Sequence, residues 1–163
     1  MAPEALKRDL NEQFREKYPH VQISLSKLRH IKQDMVRLVV ENTELSLSSA
    51  VLAQLYFERL TMLSHITRAN REAYAGVCAI LAVKFNENKD LIKDYLSTIL
   101  KWVEETWGVP AKDVLDLEFT AFLQLEFSLQ VGEPLIADAL RRTVTALPSI
   151  DNFDEIDLRA LAL

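Results

Sequence analysis

Lys84 is the residue whose setting most plainly asks for a chemical role. It follows Ala75-Gly76-Val77-Cys78-Ala79-Ile80-Leu81-Ala82-Val83, all apolar or small, and precedes Phe85. A cation at the end of an apolar helix is favoured by the partial negative charge of the helix C-terminus. Its aliphatic stem can run along apolar surface while the ammonium reaches a carboxylate. Glu118 and Glu126 are the candidate partners, since each interrupts the otherwise apolar stretch from Leu115 to Leu129. Either choice predicts a buried pair. Such a pair can orient a binding partner or merely lock the register of two helices, and burial alone does not separate the two.

Other side chains offer less. His20, His30 and His65 stand apart, none at metal-ligand spacing with a cysteine or a second histidine, and cap or surface positions suit them equally. Gly76, Gly108 and Gly132 are too widely spaced for a phosphate-cradling loop. Cys78 sits inside the apolar run, where cysteine behaves as a small buried hydrophobe without thiolate character. Glu104-Glu105 and the acids from Asp151 to Asp157 read as solvated faces. No catalytic residue, no metal site and no cofactor is therefore expected, and no small-molecule substrate.

Helical periods place these residues. A polar first segment, about Pro3 to Lys17, carries Leu6, Leu10 and Phe14 on one stripe and stops at Tyr18-Pro19. Ser24 or Ser26 caps a second helix bearing Leu28, Ile31, Met35, Leu38 and Val39. Ser46 or Ser48 caps a third, with Val51, Leu52, Leu55, Tyr56, Leu60 and Leu63 inward. The fourth, Thr67 to about Phe85, is apolar on all sides at its centre and so should be the buried central helix. Gly76 there gives up about 1 kcal/mol of helix propensity for packing room. A fifth runs from about Asp90 to Trp107 and stops at Gly108-Val109-Pro110, a sixth from about Ala111 to Phe127, a seventh from about Glu133 to Leu147. Pro148 to Leu163 reads as a short docked helix or a frayed tail. No window alternates as a half-buried strand must, so the fold class is all-α.

Composition agrees. The 163 residues suit one domain, and 49% hydrophobic with 26% charged residues exclude disorder. A formal charge of −5 gives no net pull toward phosphates, so neither nucleic acid nor a membrane surface is an expected partner. The apolar runs are too short to cross a bilayer, and Met1-Ala2-Pro3-Glu4 lacks the apolar core of a signal peptide. Residence in the nucleus, the cytoplasm or both is the expectation.

Three spaced segments carry a resemblance. Leu52-Ala53-Gln54-Leu55-Tyr56-Phe57-Glu58-Arg59-Leu60 is similar to the cyclin-box segment that ends in an aromatic, an apolar residue, a carboxylate and an arginine. Gly76 to Glu87, closing on Ala82-Val83-Lys84-Phe85-Asn86-Glu87, resembles the long apolar cyclin helix that closes on Ala-Ser-Lys-Phe-Glu-Glu. Leu117-Glu118-Phe119 through Leu125-Glu126-Phe127-Ser128-Leu129 resembles the later helix that supplies that lysine's glutamate and ends in Phe-x-Leu. Leu28-Arg29-His30-Ile31 stands where cyclins carry Met-Arg-Ala-Ile-Leu. The likeness runs from Leu28 to Leu147. Within cyclins it is greatest to the C-terminal cyclin-like domain of the Cables family, adaptors described as substrates of cyclin-dependent kinase and Abl. Tyr18-Pro19-His20, Leu25-Ser26-Lys27-Leu28-Arg29 and Tyr56-Phe57-Glu58-Arg59-Leu60 carry that flavour.

The resemblance implies a single cyclin-box five-helix bundle over 25–147, with an extra N-terminal helix and lead-in over 1–24 and a short C-terminal tail over 148–163. It implies that Lys84 and Glu118 pair and face a cyclin-dependent kinase. Phe85, Phe122, Phe127 and Leu129 then form an apolar pocket for a kinase helix, with Asn86 and Glu87 at the rim, and Arg29 with Glu58 is a buried structural pair. The implied function is that of a non-catalytic module binding the kinase, an adaptor or regulator of its phosphorylation in cell-cycle control, with a tyrosine kinase engaged only through regions outside this chain. Some positions depart from the family. Ala73 replaces a leucine, Asn86 replaces an acidic residue, and Lys32, Met35 and Leu38 stand where the Arg-x-Leu docking surface usually has leucine, tryptophan and glutamate. That peptide docking is not expected. Two other classes remain: a transcription-factor-type cyclin fold contacting DNA or transcription proteins, and a cyclin fold kept as a general interaction scaffold.

Overall fold

The computed structural model describes residues 2–146, and every regular element among them is helical. The α-helices are α1 (Pro3–Lys17), α2 (Leu25–Glu41), α3 (Leu47–Met62), α4 (Arg71–Asn86), α5 (Ile92–Trp107), α6 (Ala111–Gln124) and α7 (Glu133–Ala146). A single 3-10 turn, Lys89–Leu91, leads into α5. The expected tail over 148–163 lies outside the described residues.

Hydrophobicity decides the arrangement. The segment from Tyr74 to Val83 is buried without interruption, so α4 forms the centre and packs against α3, α5 and α6, and more lightly α2. On the flanks, α1 lies along α2, and α7 lies along α3. Tyr56, Phe57 and Leu60 of α3 meet Val77, Ile80 and Leu81 of α4 in the main core cluster. Each such large side chain contributes about 1.5–3 kcal/mol by leaving water. Gly76 faces the crossing of α4 with α5 and α6. A Cβ built there would stand 3.3 Å from Val103 Cγ1 and 3.3 Å from Val114 Cγ2, so glycine is what lets the three helices approach.

Local chemistry sets the ends. Ser24 and Ser46 are the N-caps of α2 and α3, accepting from the backbone N–H of Lys27 and Ser49. Thr67–Asn70, expected to open the fourth helix, instead folds as a turn: Thr67 N–H donates to Asn70 Oδ1 and Asn70 Nδ2 donates to the His65 carbonyl. The side-chain amide outcompetes a first helical turn, the usual behaviour of asparagine near a helix start. Gly108 ends α5 at φ 69°, a left-handed position that favours glycine. The sixth helix stops at Gln124 rather than near Phe127, because Glu126 and Phe127 adopt φ of 58° and 57°. Two consecutive non-glycine residues there carry a strain of about 1–2 kcal/mol each, held by Phe127 N–H donating to the Phe122 carbonyl.

The joint between α5 and α2 is polar and aromatic. Trp102 Nε1 donates to Glu41 (2.6 Å) and Trp107 Nε1 to the buried Asp34 (3.1 Å), with the indole rings edge to face 5.2 Å apart. Cys78 is fully buried and burial pushes its thiol pKa far up, which removes thiolate reactivity.

Candidate functional site

The last turn of α4 and the outer face of α6 meet at one surface. Lys84 Nζ pairs with Glu118 across the two helices. The expected burial is only partial: the side chains are 39% and 25% exposed, because both sit at the edge of the bundle. Glu126, the other candidate partner, lies beside Arg59 instead, at 3.6 Å. An ion pair this exposed is worth about 0–1 kcal/mol to the fold.

The apolar residues around the pair are conspicuously wet. Phe85 is 50% exposed, Phe127 56% and Phe119 70%, with Leu115 and Leu123 close to half. Phe127 bridges two rings of α6, 5.2 Å from Phe122 and 6.5 Å from Phe119. The left-handed backbone at Glu126 and Phe127 is what turns that ring back onto α6 after the helix has ended. Tyr56 fixes the following segment, its buried phenol donating a short hydrogen bond to the Leu129 carbonyl. Burial, and secondarily Cys78, push the Tyr56 phenol pKa far up, so it is a donor throughout the ordinary pH range.

The structure thus pairs Lys84 with Glu118 and sets Phe127 against Phe119 and Phe122 of α6, with Phe85 exposed beside Lys84 and with Phe122 and Leu129 half sunk into the core. Leu115, Phe119 and Leu123 belong to the same surface and were not among the expected site residues. They recur every four residues on α6, while Val114, Ala121 and Leu125 face the core. The signal was present: α6 is apolar on two sides, more than one core contact needs.

Asn86 and Glu87 do not stand free at a pocket rim. Asn86 Nδ2 donates to the hydroxyls of Ser46, Ser48 and Ser49. Glu87 Oε1 accepts from Ser46 N–H (2.8 Å), Ser46 Oγ (2.7 Å) and Ser49 Oγ (2.7 Å). The two side chains tie the end of α4 to the start of α3. Burial by itself raises the Glu87 carboxyl pKa, but the Ser46 and Ser49 hydrogen bonds outweigh it and hold it below the ordinary carboxylate range. A group held low in the folded state stabilises the fold above its unfolded value and loses that contribution as pH falls through the folded one. Glu87→Gln is therefore expected to lower urea-unfolding stability by about 1–2 kcal/mol at neutral pH. That difference should shrink as pH falls below the ordinary carboxylate range and vanish once the folded wild type takes up the proton as well.

Arg29 and Glu58 do not pair. Glu58 takes Lys32 Nζ at 3.3 Å, one helical turn along α2 from Arg29. Arg29 is 8% exposed, its Nε has no partner, and burial lowers its pKa. Lys32, on the same face of α2, reaches the carboxylate first. Among the described residues no cluster of His, Cys, Asp or Glu could hold a metal ion, and no helix is long and apolar enough to cross a membrane.

Comparison with known proteins fits this geometry. The chain is 34% identical over 142 residues to human "CDK5 and ABL1 enzyme substrate 1", covering 87% of this chain and 22% of that protein. It is 36% identical over 140 residues to human "CDK5 and ABL1 enzyme substrate 2", covering 86% of this chain and 29% of that protein. The mouse form of the second relative matches over the same shares. The chain therefore spans less than a third of the length of these relatives. No solved structure matches it. The family model "Cyclin, N-terminal domain" matches residues 4–130, which takes in α1 to α6 and Lys84, Glu118 and Phe127, and the chain belongs to that family.

Proposed function

We propose that this domain is a non-catalytic module that binds a cyclin-dependent kinase through the face formed by the end of α4 and the outside of α6. The observation that carries the reading is the Lys84–Glu118 pair set among half-exposed aromatic rings. The pair adds little to the fold, and leaving Phe85, Phe119 and Phe127 in water is a standing cost that a protein partner would relieve. Burial of Phe85, Phe119 and Phe127 supplies affinity, and the ion pair supplies orientation. The names of the similar proteins, substrates of CDK5 and ABL1, support a kinase-linked adaptor role. In that role the domain regulates phosphorylation in cell-cycle control, in nucleus or cytoplasm, and a tyrosine kinase is engaged by regions outside this chain.

The test is a pull-down with purified cyclin-dependent kinases, wild type beside Phe127→Ala, with circular dichroism as the check on folding. A kinase retained by wild type and reduced at least tenfold in the folded variant is the expected result. Equal retention, or no kinase on either, would sink the reading.

A further inference from the structure

A second site lies away from the kinase-facing surface. A cavity of about 510 Å³ opens where α1, the lead-in to α2 and the start of α4 converge, and it is lined by Lys7, Lys27, His30, Arg68 and Arg71 around Ser24 and Ser26. The chain as a whole carries −5, so gathering these cations in one cleft runs against the general charge. Their compensation is incomplete. Glu72 serves two of them, Arg71 at 2.9 Å and Lys27 at 3.7 Å, while Lys7 and Arg68 have no carboxylate. Four full positive charges therefore face one negative, with His30 beside Asp34 at 3.6 Å.

The cleft is held in shape by bonds independent of any ligand. Asn11, one turn after Lys7 on α1, exchanges hydrogen bonds with Ser26: its Nδ2 donates to Ser26 Oγ, and its Oδ1 accepts from Ser26 N–H. Ser64 Oγ donates to the His20 carbonyl and Gln22 Nε2 to the Ser64 carbonyl, which tie the lead-in to the loop carrying Arg68. The three segments that carry these lysines and arginines are thus held together before anything binds.

We propose that this cleft binds a phosphorylated side chain of a protein partner. A phosphate monoester is a compact dianion with three strong acceptor oxygens, matched to several convergent Lys and Arg donors. No Phe, Tyr or Trp lines the cleft, and its one ring, the His30 imidazole, lies against Asp34 at 3.6 Å, so the lining favours the phosphate over a base. A nucleic-acid strand or an anionic bilayer would extend onto the acidic remainder of the protein and be repelled there. A single phosphorylated residue fits within the basic patch. The site is independent of the kinase reading.

The test is a nuclear magnetic resonance titration of the 15N-labelled domain with N-acetyl-O-phosphoserine methylamide. Parallel arms use the unphosphorylated serine amide and inorganic phosphate. Saturable shifts confined to amides of residues 24–30 and 68–71 are expected with the phosphoserine compound, at least tenfold tighter than with either control. Affinity should fall about tenfold in the doubly substituted Lys7→Gln/Arg68→Gln domain, both positions being exposed. Absence of saturation, equal binding of inorganic phosphate, or unchanged affinity in the variant would each overturn the proposal.

Discussion

Gly76→Leu is expected to destabilise the domain by about 3 kcal/mol or more, out of the roughly 5–15 kcal/mol typical of a domain. The first added atom already meets Val103 and Val114 at 3.3 Å, and the remaining leucine carbons have to displace α5 or α6 from α4. Those valines are fully buried and cannot retreat into solvent. Gly76→Ala separates packing from propensity. It gains up to about 1 kcal/mol of helix preference and asks the valines to give by a few tenths of an ångström, so it should stay within about 1 kcal/mol of wild type. Urea unfolding of the three proteins measures both effects. A leucine variant as stable as wild type would mean that Gly76 is not the point of closest approach.

Exchanging the two charges, Lys84→Glu with Glu118→Lys, is expected to preserve the fold while weakening kinase binding by roughly thirtyfold, the scale of a central interface residue. The exchanged pair can still form. The only structural loss is a carboxylate at the C-terminal end of α4, which costs about 0.3–1 kcal/mol. If the pair merely fixes the register of α4 on α6, the exchanged protein will bind as wild type does. If the kinase reads which side carries the ammonium, it will not. Thermal unfolding beside a binding isotherm decides between these two outcomes.

Much of the architecture is written in side-chain patterning. Ala75 to Val83 declares a helix buried on every side, and α4 is that helix. Serines before apolar runs announce the starts of α2 and α3, and Gly108 announces the end of α5. Lys84 is recognisable because a lone charge closing an apolar stretch needs a partner, but the pattern leaves Glu118 and Glu126 open, and the structure pairs Lys84 with Glu118. What escapes such reading depends on distances between elements. Arg29 and Lys32 lie on one face of α2, and only the seating of α3 decides which of them receives Glu58. The end of α6 depends on two residues that enter a left-handed conformation despite ordinary side chains, for which composition holds no signal. Asn86 and Glu87 look like surface residues in sequence, yet three serines some forty positions away recruit them.

The placement of the two tryptophans has a practical consequence for spectroscopy. The chain contains no other indoles, and both lie at the joint of α5 with α2, in edge-to-face contact and each bonded to a carboxylate of α2. Emission intensity and wavelength therefore monitor one hinge of the bundle, blind to fraying of α1 or α7. Comparing that optical trace with the far-ultraviolet signal, which sums over all helices, turns an ordinary melting experiment into a direct test of whether the box opens in one step.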